Sequence, residues 1–563
     1  MKKYLLYTFC CIIGASSLSS CDDILDAFPQ DKISGDKFWK TESDAEKLLV
    51  DIYSSTIPSS GIFWDECMSD NAYLAYDWWG GQQQVANGSL TVYGDAPSAV
   101  WSGAYSSIRK CWFLLEGLDR IPFDSESSKG KIKGETYFML AYNYYLLTTY
   151  FGDVPLVTKT LTIQESKEQV RESKKVVVKY AIDKLDEAAS LLKDISGEYG
   201  RVTSDACYFL KARIQLFNED YSGCLESLKN LDGKYQLYSE GNTPYEDMFS
   251  GAAERNCEVI LARICDVKQG SISIGHSGNG ALLLKGMTGG DPYAGIFPAG
   301  SLIDAYPMAD GRLIHENGST YNPKDPYKDR DPRFYQSITY PTAQLKYLDG
   351  TTNTIKECLY DPEDPSTIAV QQYSAPEPSR TGYVWNKYID YSPYAMLEIW
   401  DCTNDIIIFR YADAILMKAE ALFKTQGLGS KSAVCDLIDQ LRDRCKGGKV
   451  HRENYNTEDE LFALIKNERR IELANEGLRY FDLIRWKDAE KNPVETGIGL
   501  SGELYGAYMR LDGVGKDDKT VLVDGVPRRY VEVRYFDKTT GYMFPIPQKD
   551  RDLNPNLTQN PNW

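Results

Sequence analysis

Histidine is nearly absent from this 563-residue chain, which has only three copies, His276, His315 and His451. None of them has a second histidine at the short spacing typical of a metal site. Ser-His-Asp and Cys-His catalysis both require a histidine that is placed as a base. The scarcity of histidine therefore argues against these classes of hydrolase, and we predict neither a metal nor a cofactor.

The chain also has fewer basic than acidic residues. The formal net charge is −18 at pH 7, with 63 Lys and Arg against 81 Asp and Glu. Nucleic-acid binding depends on clustered Lys and Arg that contact phosphates, and anionic lipid attracts the same residues. The acidic balance therefore predicts that the chain binds no nucleic acid and does not adhere directly to an anionic membrane surface.

Cysteine is too sparse for a disulfide-stabilised scaffold. The chain has 13 cysteines, of which all but Cys10, Cys11 and Cys21 follow the first 21 residues. No C-x-x-C pair occurs, and the two that lie closest in this later set are Cys257 and Cys265, in apolar surroundings. We expect most of these side chains to pack as small hydrophobic groups, and the sequence leaves open which of them, if any, are paired.

No apolar run is long enough to span a bilayer, which takes about 20 residues. The longest candidate follows a basic pair at positions 2 and 3 and runs from Tyr4 to Leu18. A charged start, a short apolar core and small residues at its end are typical of a cleaved signal peptide, which we assign to residues 1–20. The Leu-Ser-Ser-Cys sequence that ends at Cys21 resembles a bacterial lipobox, so Cys21 is predicted to be lipidated and to anchor the mature chain in a membrane.

Residues 21–40 are predicted to form the lipidated N-terminal tether. Acidic residues at positions 22, 23 and 26 would be repelled by an anionic leaflet, which suits a stalk that holds the body away from the membrane. Plain surface solubility explains the same charges, and the sequence leaves both interpretations open. An ordinary signal peptide with a chance cysteine is the alternative to lipidation.

The rest of the chain is dominated by helical patterns. Thr41 with Asp44 and Thr457 with Glu460 have the spacing of capping boxes. Apolar residues at helical spacing predict further helices, in the windows 101–118, 135–150, 178–192, 204–217 (with Ser204 as its cap), 412–423 and 434–445. Helix pairs of this size suggest tetratricopeptide-like units, although no clean repeat occurs and an irregular helical domain is the alternative. We predict a mostly α-helical, tetratricopeptide-like scaffold with long irregular loop insertions, mainly at 54–100 and 270–400.

Tyrosine is abundant, with 40 copies beside 10 Trp and 19 Phe. A sugar ring offers an apolar C–H face and a rim of hydroxyls, which suit aromatic rings and carboxylates or amides. Segment 61–105 combines both kinds of side chain, and Trp78 and Trp79 are the best candidates for a ligand contact. The other ligand-binding candidates are Asp77, Tyr76, Tyr73, Tyr293 and Trp385, with Tyr306 and Tyr388 as secondary choices. Loop packing is the alternative at these positions, and Trp101 is expected to lie in the core.

Several ordered blocks carry a resemblance to a known family. They are Cys21-Asp22-Asp23-Ile24-Leu25-Asp26, Phe38-Trp39-Lys40-Thr41-Glu42, Gly134-Glu135, Tyr150-Phe151-Gly152-Asp153-Val154-Pro155, Asp329-Arg330-Asp331-Pro332-Arg333, Arg410-Tyr411-Ala412-Asp413, Glu468-Arg469-Arg470-Ile471-Glu472-Leu473 and Phe481-Asp482-Leu483-Ile484-Arg485-Trp486. Together they resemble the SusD/RagB family of outer-membrane nutrient-binding lipoproteins. We interpret the charged residues of the last two blocks as ion pairs between helices, since charged stripes at helical spacing usually belong to the scaffold.

The resemblance implies a non-catalytic lipoprotein on the outer membrane, facing the cell exterior, that binds oligosaccharides and passes them to a SusC-like TonB-dependent transporter. It also implies an N-terminal helical domain at 41–235 and a C-terminal domain at 270–563. The alternatives are a RagB-like protein that binds peptides, a surface glycoside hydrolase with a catalytic carboxylate pair, and a helical scaffold without a small ligand. No block of the family carries a ligand-binding residue over, so the candidate residues depend on the aromatic pattern alone.

Overall fold

The computed structural model describes residues 39–76, 80–195, 197–268, 274–284, 287–290, 292–293, 295–323, 325–341, 343–346, 352–354, 379–508 and 520–563. Helices account for most of the regular structure of these residues, and the strands are short. The prediction of a mostly α-helical fold is therefore confirmed.

Long helices dominate the first part of the described chain. The α-helices up to position 228 are α1 (Glu42–Thr56), α2 (Gly61–Glu66), α3 (Gln82–Asn87), α4 (Asp95–Gly117), α5 (Glu126–Phe151), α6 (Ile163–Ser166), α7 (Lys174–Leu192), α8 (Ser204–Phe217) and α9 (Tyr221–Leu228). Short 3₁₀ helices follow α4 and α9, at Leu118–Arg120 and Lys229–Leu231. Helix α5 packs against α4 and α7, and α8 packs against α7 and α9, so successive helices lie side by side.

The middle of the chain carries only short helices, and the last part carries long ones again. The α-helices of these two parts are α10 (Pro244–Phe249), α11 (Gly278–Leu282), α12 (Gly300–Ala305), α13 (Pro332–Ser337), α14 (Tyr411–Gln426), α15 (Lys431–Arg444), α16 (Glu458–Glu472), α17 (Arg479–Arg485), α18 (Pro493–Thr496) and α19 (Gln548–Leu553). Further 3₁₀ helices lie at Gly427–Ser430 and Arg452–Asn454. Helix α14 packs against both α15 and α16.

The described strands pair in five small antiparallel sheets. The pairs are β1 (Ala72–Leu74) with β3 (Ile296–Pro298), β2 (Val259–Arg263) with β8 (Ile406–Arg410), β4 (Ile338–Thr339) with β7 (Val384–Trp385), and β5 (Gln344–Lys346) with β6 (Thr352–Thr354). In the fifth sheet, β11 (Val526–Arg534) lies between β9 (Gly502–Tyr508) and β10 (Thr520–Val523).

Both predicted capping boxes are confirmed. At the start of α1, Thr41 N donates a hydrogen bond to Asp44 Oδ2 at 3.0 Å. At the start of α16, Thr457 N donates to Glu460 Oε2 at 2.9 Å, and Glu460 N donates back to Thr457 Oγ1 at 3.2 Å. Each box satisfies amide groups that the first helical turn leaves without a partner, so the sequence sets these helix starts.

Two predicted helix starts are corrected. Helix α5 begins at Glu126 instead of position 135, because the Ser125 side chain caps a polar first turn that apolar periodicity does not reveal. Helix α8 is capped by Thr203 and not by Ser204, since the Thr203 hydroxyl accepts a hydrogen bond from Ala206 N at 3.3 Å. Hydrogen-bond geometry, and not the apolar stripe, decides both ends.

The predicted loop insertions are confirmed in part. Segment 54–100 contains α2, β1 and α3, and α4 already begins at Asp95. Within 270–400, the described residues form short helices and strands with irregular chain between them. Elements of two to six residues are too short to give a periodic apolar pattern, which is why the sequence did not predict them.

Two large apolar cores hold these elements together. The first lies between α4, α5, α7 and α8, and it also takes in Phe544 and Ile546 from the last part of the chain. The aromatic residues Phe138, Tyr142 and Tyr145 of α5 belong to this core, and α5 is buried on most sides because α4 and α7 flank it. The second core surrounds β1, β3 and α10. Trp101 lies in the first core, as predicted.

Buried ion pairs join the family-like blocks from different parts of the chain. Glu472, at the end of α16, accepts hydrogen bonds from Arg333 at 2.8 Å, Arg410 at 2.7 Å and Arg444 at 2.6 Å. All four side chains are buried. Burial alone would raise the pKa of Glu472, but the three guanidinium groups hold this pKa well below its ordinary value. The carboxylate therefore stays ionised and ties β8, α13 and α15 to α16.

The structural interpretation of the other charged residues in these blocks is confirmed as well. Arg469 bridges Asp413 in α14 and Asp482 in α17, at 2.5 and 2.7 Å. Arg485 also pairs with Asp482, at 2.8 Å. Arg470 is buried against the carboxylate of Asp70, at 3.4 Å. Arg469 therefore joins α14, α16 and α17, and the charged side chains of both blocks are occupied by structural ion pairs.

The described cysteines are all free thiols. Eight of them are buried and only Cys257 is exposed, which confirms that most cysteines pack as small hydrophobic groups. Among the described residues, no helix combines the length and apolar character that crossing a membrane requires.

Candidate functional site

Three aromatic side chains from distant parts of the chain meet at the protein surface. The rings of Tyr76 and Tyr293 pack edge to face with centroids 6.5 Å apart, and the centroid of Trp400 lies 5.6 Å from that of Tyr293. Tyr293 is 50% exposed and Trp400 is 40% exposed, whereas Tyr76 is buried behind them. We call this group the aromatic platform.

Hydrogen bonds to backbone carbonyl oxygens hold the platform together. Tyr76 Oη donates to the carbonyl oxygen of Tyr293 at 2.9 Å. Gly280, in α11, accepts from Tyr293 N at 3.0 Å and donates to the carbonyl oxygen of Ile399 at 2.8 Å. One short helix therefore fixes the chain at both exposed rings of the platform.

Gly280 also supports the Trp400 ring directly. A Cβ atom at Gly280 would lie 2.5 Å from the ring atoms of Trp400, which is too close for any real contact. The indole therefore rests on the bare backbone of α11. Any larger side chain at this position has to displace the ring.

Gly280→Ala is expected to lower the free energy of unfolding by about 1–3 kcal/mol, the usual cost of overpacking. The measurement is equilibrium denaturation followed by tryptophan fluorescence. Gly103→Ala is the matched control, since no atom lies within 4 Å of a Cβ at that exposed position of α4 and alanine favours a helix by up to about 1 kcal/mol. Equal stability changes in the two variants would contradict the packing of Trp400 on Gly280.

An exposed apolar side chain, Leu397, comes three residues before Trp400 in the chain. Leu397 is 57% exposed, and a Cβ atom at Gly289 would lie 2.5 Å from its Cδ2 atom. Gly289 N donates to the carbonyl oxygen of Met396 at 2.9 Å. A second glycine-supported contact thus fixes the chain that carries Leu397 and Trp400.

A carboxylate organises the chain directly after Trp400. Asp401 accepts hydrogen bonds from Lys268 N at 3.0 Å, Gly275 N at 3.1 Å and Tyr394 Oη at 2.5 Å. Two residues before Trp400, the exposed Glu398 pairs with the Lys268 ammonium group at 2.7 Å. Charged and hydroxyl groups are therefore fixed in the chain on both sides of Trp400.

His276 has a structural place behind the platform. Its backbone exchanges two hydrogen bonds with Cys402, at 3.0 and 2.7 Å, and its Nε2 atom lies 2.8 Å from Asn404 Oδ1. Burial lowers the pKa of His276 to about 4, so its ring is neutral at pH 7. The side chain is enclosed and orients the 402–404 turn.

The carboxyl group of Asp65, in α2, lies close to the first residue of α3. Gln82 Nε2 donates to Asp65 Oδ1 at 3.5 Å, a long and weak hydrogen bond. Burial raises the pKa of Asp65 to about 7, and the neighbouring charge of Glu66 acts in the same direction. Among the described residues, no group of three or more His, Cys, Asp or Glu side chains is arranged to hold a metal ion.

The structure brings two of the predicted ligand-binding residues together and moves others away from the surface. Tyr76 and Tyr293 meet in the platform. Trp78, Trp79 and Asp77 lie outside the described residues.

Tyr73 and Trp385 are corrections to the predicted site. Both side chains lie in the second core, where Tyr73 in β1 pairs with Phe297 and Trp385 in β7 pairs with Ile338. Neither offers a ring face to a ligand, because these strands are covered on both sides. The secondary candidates Tyr306 and Tyr388 are fully buried as well.

Sequence reasoning missed Trp400 and Leu397. Both lie within the irregular region 270–400 that the sequence identified as an insertion. The available signal was that Trp400 follows the apolar Leu397 by three residues, in a segment without helical periodicity. Only the three-dimensional contact with Tyr293 separates Trp400 from the buried Trp385.

Two family models match the chain. The model of the SusD family matches residues 257–563. A second model, described as starch-binding and associating with the outer membrane, matches residues 30–216. The two matches leave only a short segment between them and lie in the same order as the sequence blocks noted above.

Individual relatives agree with these matches. The SusD-like protein P38 of Formosa agariphila is 26% identical over 518 residues, which cover 87% of this chain and 93% of that protein. The crystal structure of a SusD-like carbohydrate binding protein from Bacteroides fragilis is 25% identical and superimposes with a TM-score of 0.79, covering 92% of this chain and 100% of the other.

A further SusD-like protein from Bacteroides fragilis is 24% identical, with a TM-score of 0.76 and coverage of 95% of this chain and 100% of the other. This likeness concerns the fold alone. Because the model of the SusD family by itself matches more than half of the 563 residues, the chain belongs to the SusD family.

Proposed function

We propose that this protein is a non-catalytic surface lipoprotein that binds oligosaccharides on the aromatic platform and passes them to a SusC-like TonB-dependent transporter. The observation that carries the proposal is the pair of exposed rings, Tyr293 and Trp400, held in fixed positions by α11. Rigid rings lose little conformational entropy when they bind a ligand.

The platform has the chemistry that a sugar needs. The C–H face of a pyranose packs on an aromatic ring, and its hydroxyl groups need donors and acceptors at the edge. Such groups flank Trp400 in the chain: Glu398, paired with Lys268, comes two residues before it, and Asp401, which binds Tyr394, comes directly after it. Apolar walls combined with a few fixed polar groups are the general pattern of small-ligand sites.

Trp78, Trp79 and Asp77 complete the proposed site. They follow Tyr76 directly in the sequence and precede Gly80 and Gly81. Tyr76 is in contact with Tyr293, so these three residues directly follow a residue of the platform in the sequence. We propose that one or both tryptophans add a further ring to the surface that binds the sugar.

The relatives support the same ligand class. The Bacteroides fragilis protein of similar fold is described as carbohydrate binding, and the model that matches residues 30–216 is described as starch-binding. The transporter partner, the absence of catalysis and the position on the outer face of the outer membrane follow from the family resemblance and belong to the proposal.

Binding of glycans and of peptides can be separated on one array. The mature protein, labelled with a fluorophore, is applied to immobilised oligosaccharides of several polysaccharide classes and to a peptide library. We expect signal on one glycan class and none on peptides. Signal confined to peptides would replace the proposal with a RagB-like one, and release of reducing ends from a bound glycan would indicate a hydrolase.

Cys21→Ala is expected to move the protein from the membrane fraction to the soluble fraction and to abolish incorporation of a labelled fatty acid. More than one acyl chain is needed for stable anchoring, at about 0.8 kcal/mol for each buried CH₂ group. The control is Cys257→Ala, which removes an exposed thiol of the folded body and should keep the label. Retention of fatty acid in the Cys21 variant would contradict the anchor.

A further inference from the structure

A cavity with aromatic side chains in its lining lies at the end of α3, next to Gly88. Its volume is about 200 Å³. The end of α3, the segment 535–544 and Trp563 form its walls. The side chains that matter for its chemistry are Tyr535, Trp563, Met543, Asp537 and Thr540.

Tyr535 stands at the mouth of this cavity and is 60% exposed. Its position depends on Gly88, which ends α3 with a φ of +75°. A Cβ atom at Gly88 would lie 2.3 Å from the Tyr535 carbonyl oxygen and 3.0 Å from its ring. The backbone of α3 therefore holds an outward-facing tyrosine in place.

Trp563 also lines the cavity and is tied to the body. Its Nε1 atom donates to the carbonyl oxygen of Met543 at 2.9 Å. The nearby Asn560 side chain donates to the carbonyl oxygens of Phe151 and Phe544, at 2.9 and 2.7 Å. These bonds anchor the chain before Trp563 and fix the indole plane beside Met543.

Charged and hydroxyl groups border the cavity. Asp537 Oδ1 accepts hydrogen bonds from Thr539 N at 2.8 Å and from Thr539 Oγ1 at 2.7 Å. These bonds lower the pKa of Asp537, so it is a carboxylate at neutral pH. Thr540 adds a hydroxyl group next to it.

We propose that this cavity is a second glycan-binding site that takes one sugar ring between Tyr535 and Trp563. The cavity is smaller than the ~300–1,000 Å³ of sites for drug-sized ligands, which suits a single ring. Two aromatic walls, an apolar floor and an acceptor at the rim match a pyranose better than a purely apolar group or a bare anion. The inference rests on the proposed function only for its ligand class.

The position of the cavity suits a protein that holds a polymer. Helix α3 has six residues and is therefore about 9 Å long. The cavity lies at the end of this helix, and five residues separate Tyr76 of the platform from the start of α3 in the sequence. A second weak site raises the affinity for a long chain through its effective concentration, without strengthening the first site.

The test uses the mature protein labelled with 5-fluorotryptophan and ¹⁹F NMR. The resonances of Trp400 and Trp563 are assigned with the variants Trp400→Phe and Trp563→Phe. The probes are maltohexaose, laminarihexaose and xylohexaose, together with any further glycan that binds on the array. We expect a probe that shifts the Trp400 resonance to shift that of Trp563 as well, at its own apparent Kd.

Two variants at the cavity mouth make the result specific. Tyr535→Ala should weaken the apparent Kd at Trp563 at least tenfold while the Trp400 resonance still shifts, and Tyr535→Phe should keep both responses. A probe that shifts Trp400 but leaves Trp563 unchanged at saturation would overturn the second site alone. If neither resonance responds to any glycan, the proposed function fails together with it.

Discussion

Replacement of Glu472 by glutamine is expected to lower the free energy of unfolding by about 3–5 kcal/mol, the usual effect of breaking a buried ion pair. Glutamine has the same shape but no charge. The guanidinium groups of Arg333, Arg410 and Arg444 would then share a buried site that has lost its central carboxylate. The measurement is equilibrium unfolding in urea, followed by circular dichroism.

The charges around position 472 explain why the variant should still fold but be less stable. Four carboxylates close to these arginines remain in the variant, namely Glu258, Glu468, Glu476 and Asp331, so the arginines keep partners and the fold is retained. Each arginine nevertheless loses a hydrogen bond of 2.6 to 2.8 Å to an ionised acceptor, and such bonds are worth more than neutral ones.

A surface pair provides the control. Glu226 pairs with Lys229 at 2.5 Å, and both side chains are largely exposed. Glu226→Gln should change the unfolding free energy by less than about 1 kcal/mol, because solvent screens such pairs. If the two variants were equally stable, the buried cluster would not be a main contributor to the stability of this fold.

Trp400→Ala is expected to weaken oligosaccharide binding at least tenfold, which corresponds to about 1.4 kcal/mol. Aromatic anchors at the centre of an interface often contribute more than this. The variant removes one of the two exposed rings of the platform and leaves Gly280 and Tyr293 in place. Isothermal titration calorimetry with the best ligand from the array measures the change.

The matched control is Tyr93→Ala. Tyr93 is 75% exposed and does not belong to the platform, so its loss should leave the affinity within about twofold of the original. Thermal unfolding of both variants checks that the fold is intact. An unchanged affinity in a folded Trp400 variant would remove this residue from the site.

Much of the fold could be predicted because long amphipathic helices and their caps are local signals. The apolar stripes predicted the helices, and Thr41 and Thr457 predicted where two of them begin. The short elements between positions 244 and 410 gave no such signal, since their register depends on partners far away in the chain, as in the pairing of β2 with β8.

The candidate site was predictable only in part for a similar reason. An aromatic residue in an irregular segment can face solvent or the core. The residues around Trp385 do not distinguish it from Trp400. The strand pairing of β4 with β7 buries the first, whereas α11 supports the second at the surface. Tyr76 and Tyr293 were identified because both lie in long insertions that the helical scaffold does not need.

A crystal structure of the protein with the oligosaccharide selected by the array tests binding at the platform most directly. We expect a sugar ring packed on Tyr293 or Trp400, with its carbon atoms about 4 Å from the aromatic face and hydroxyl groups directed to the polar side chains around Glu398. An oligosaccharide bound elsewhere, with both rings of the platform left in solvent, would show that the platform is not the binding site.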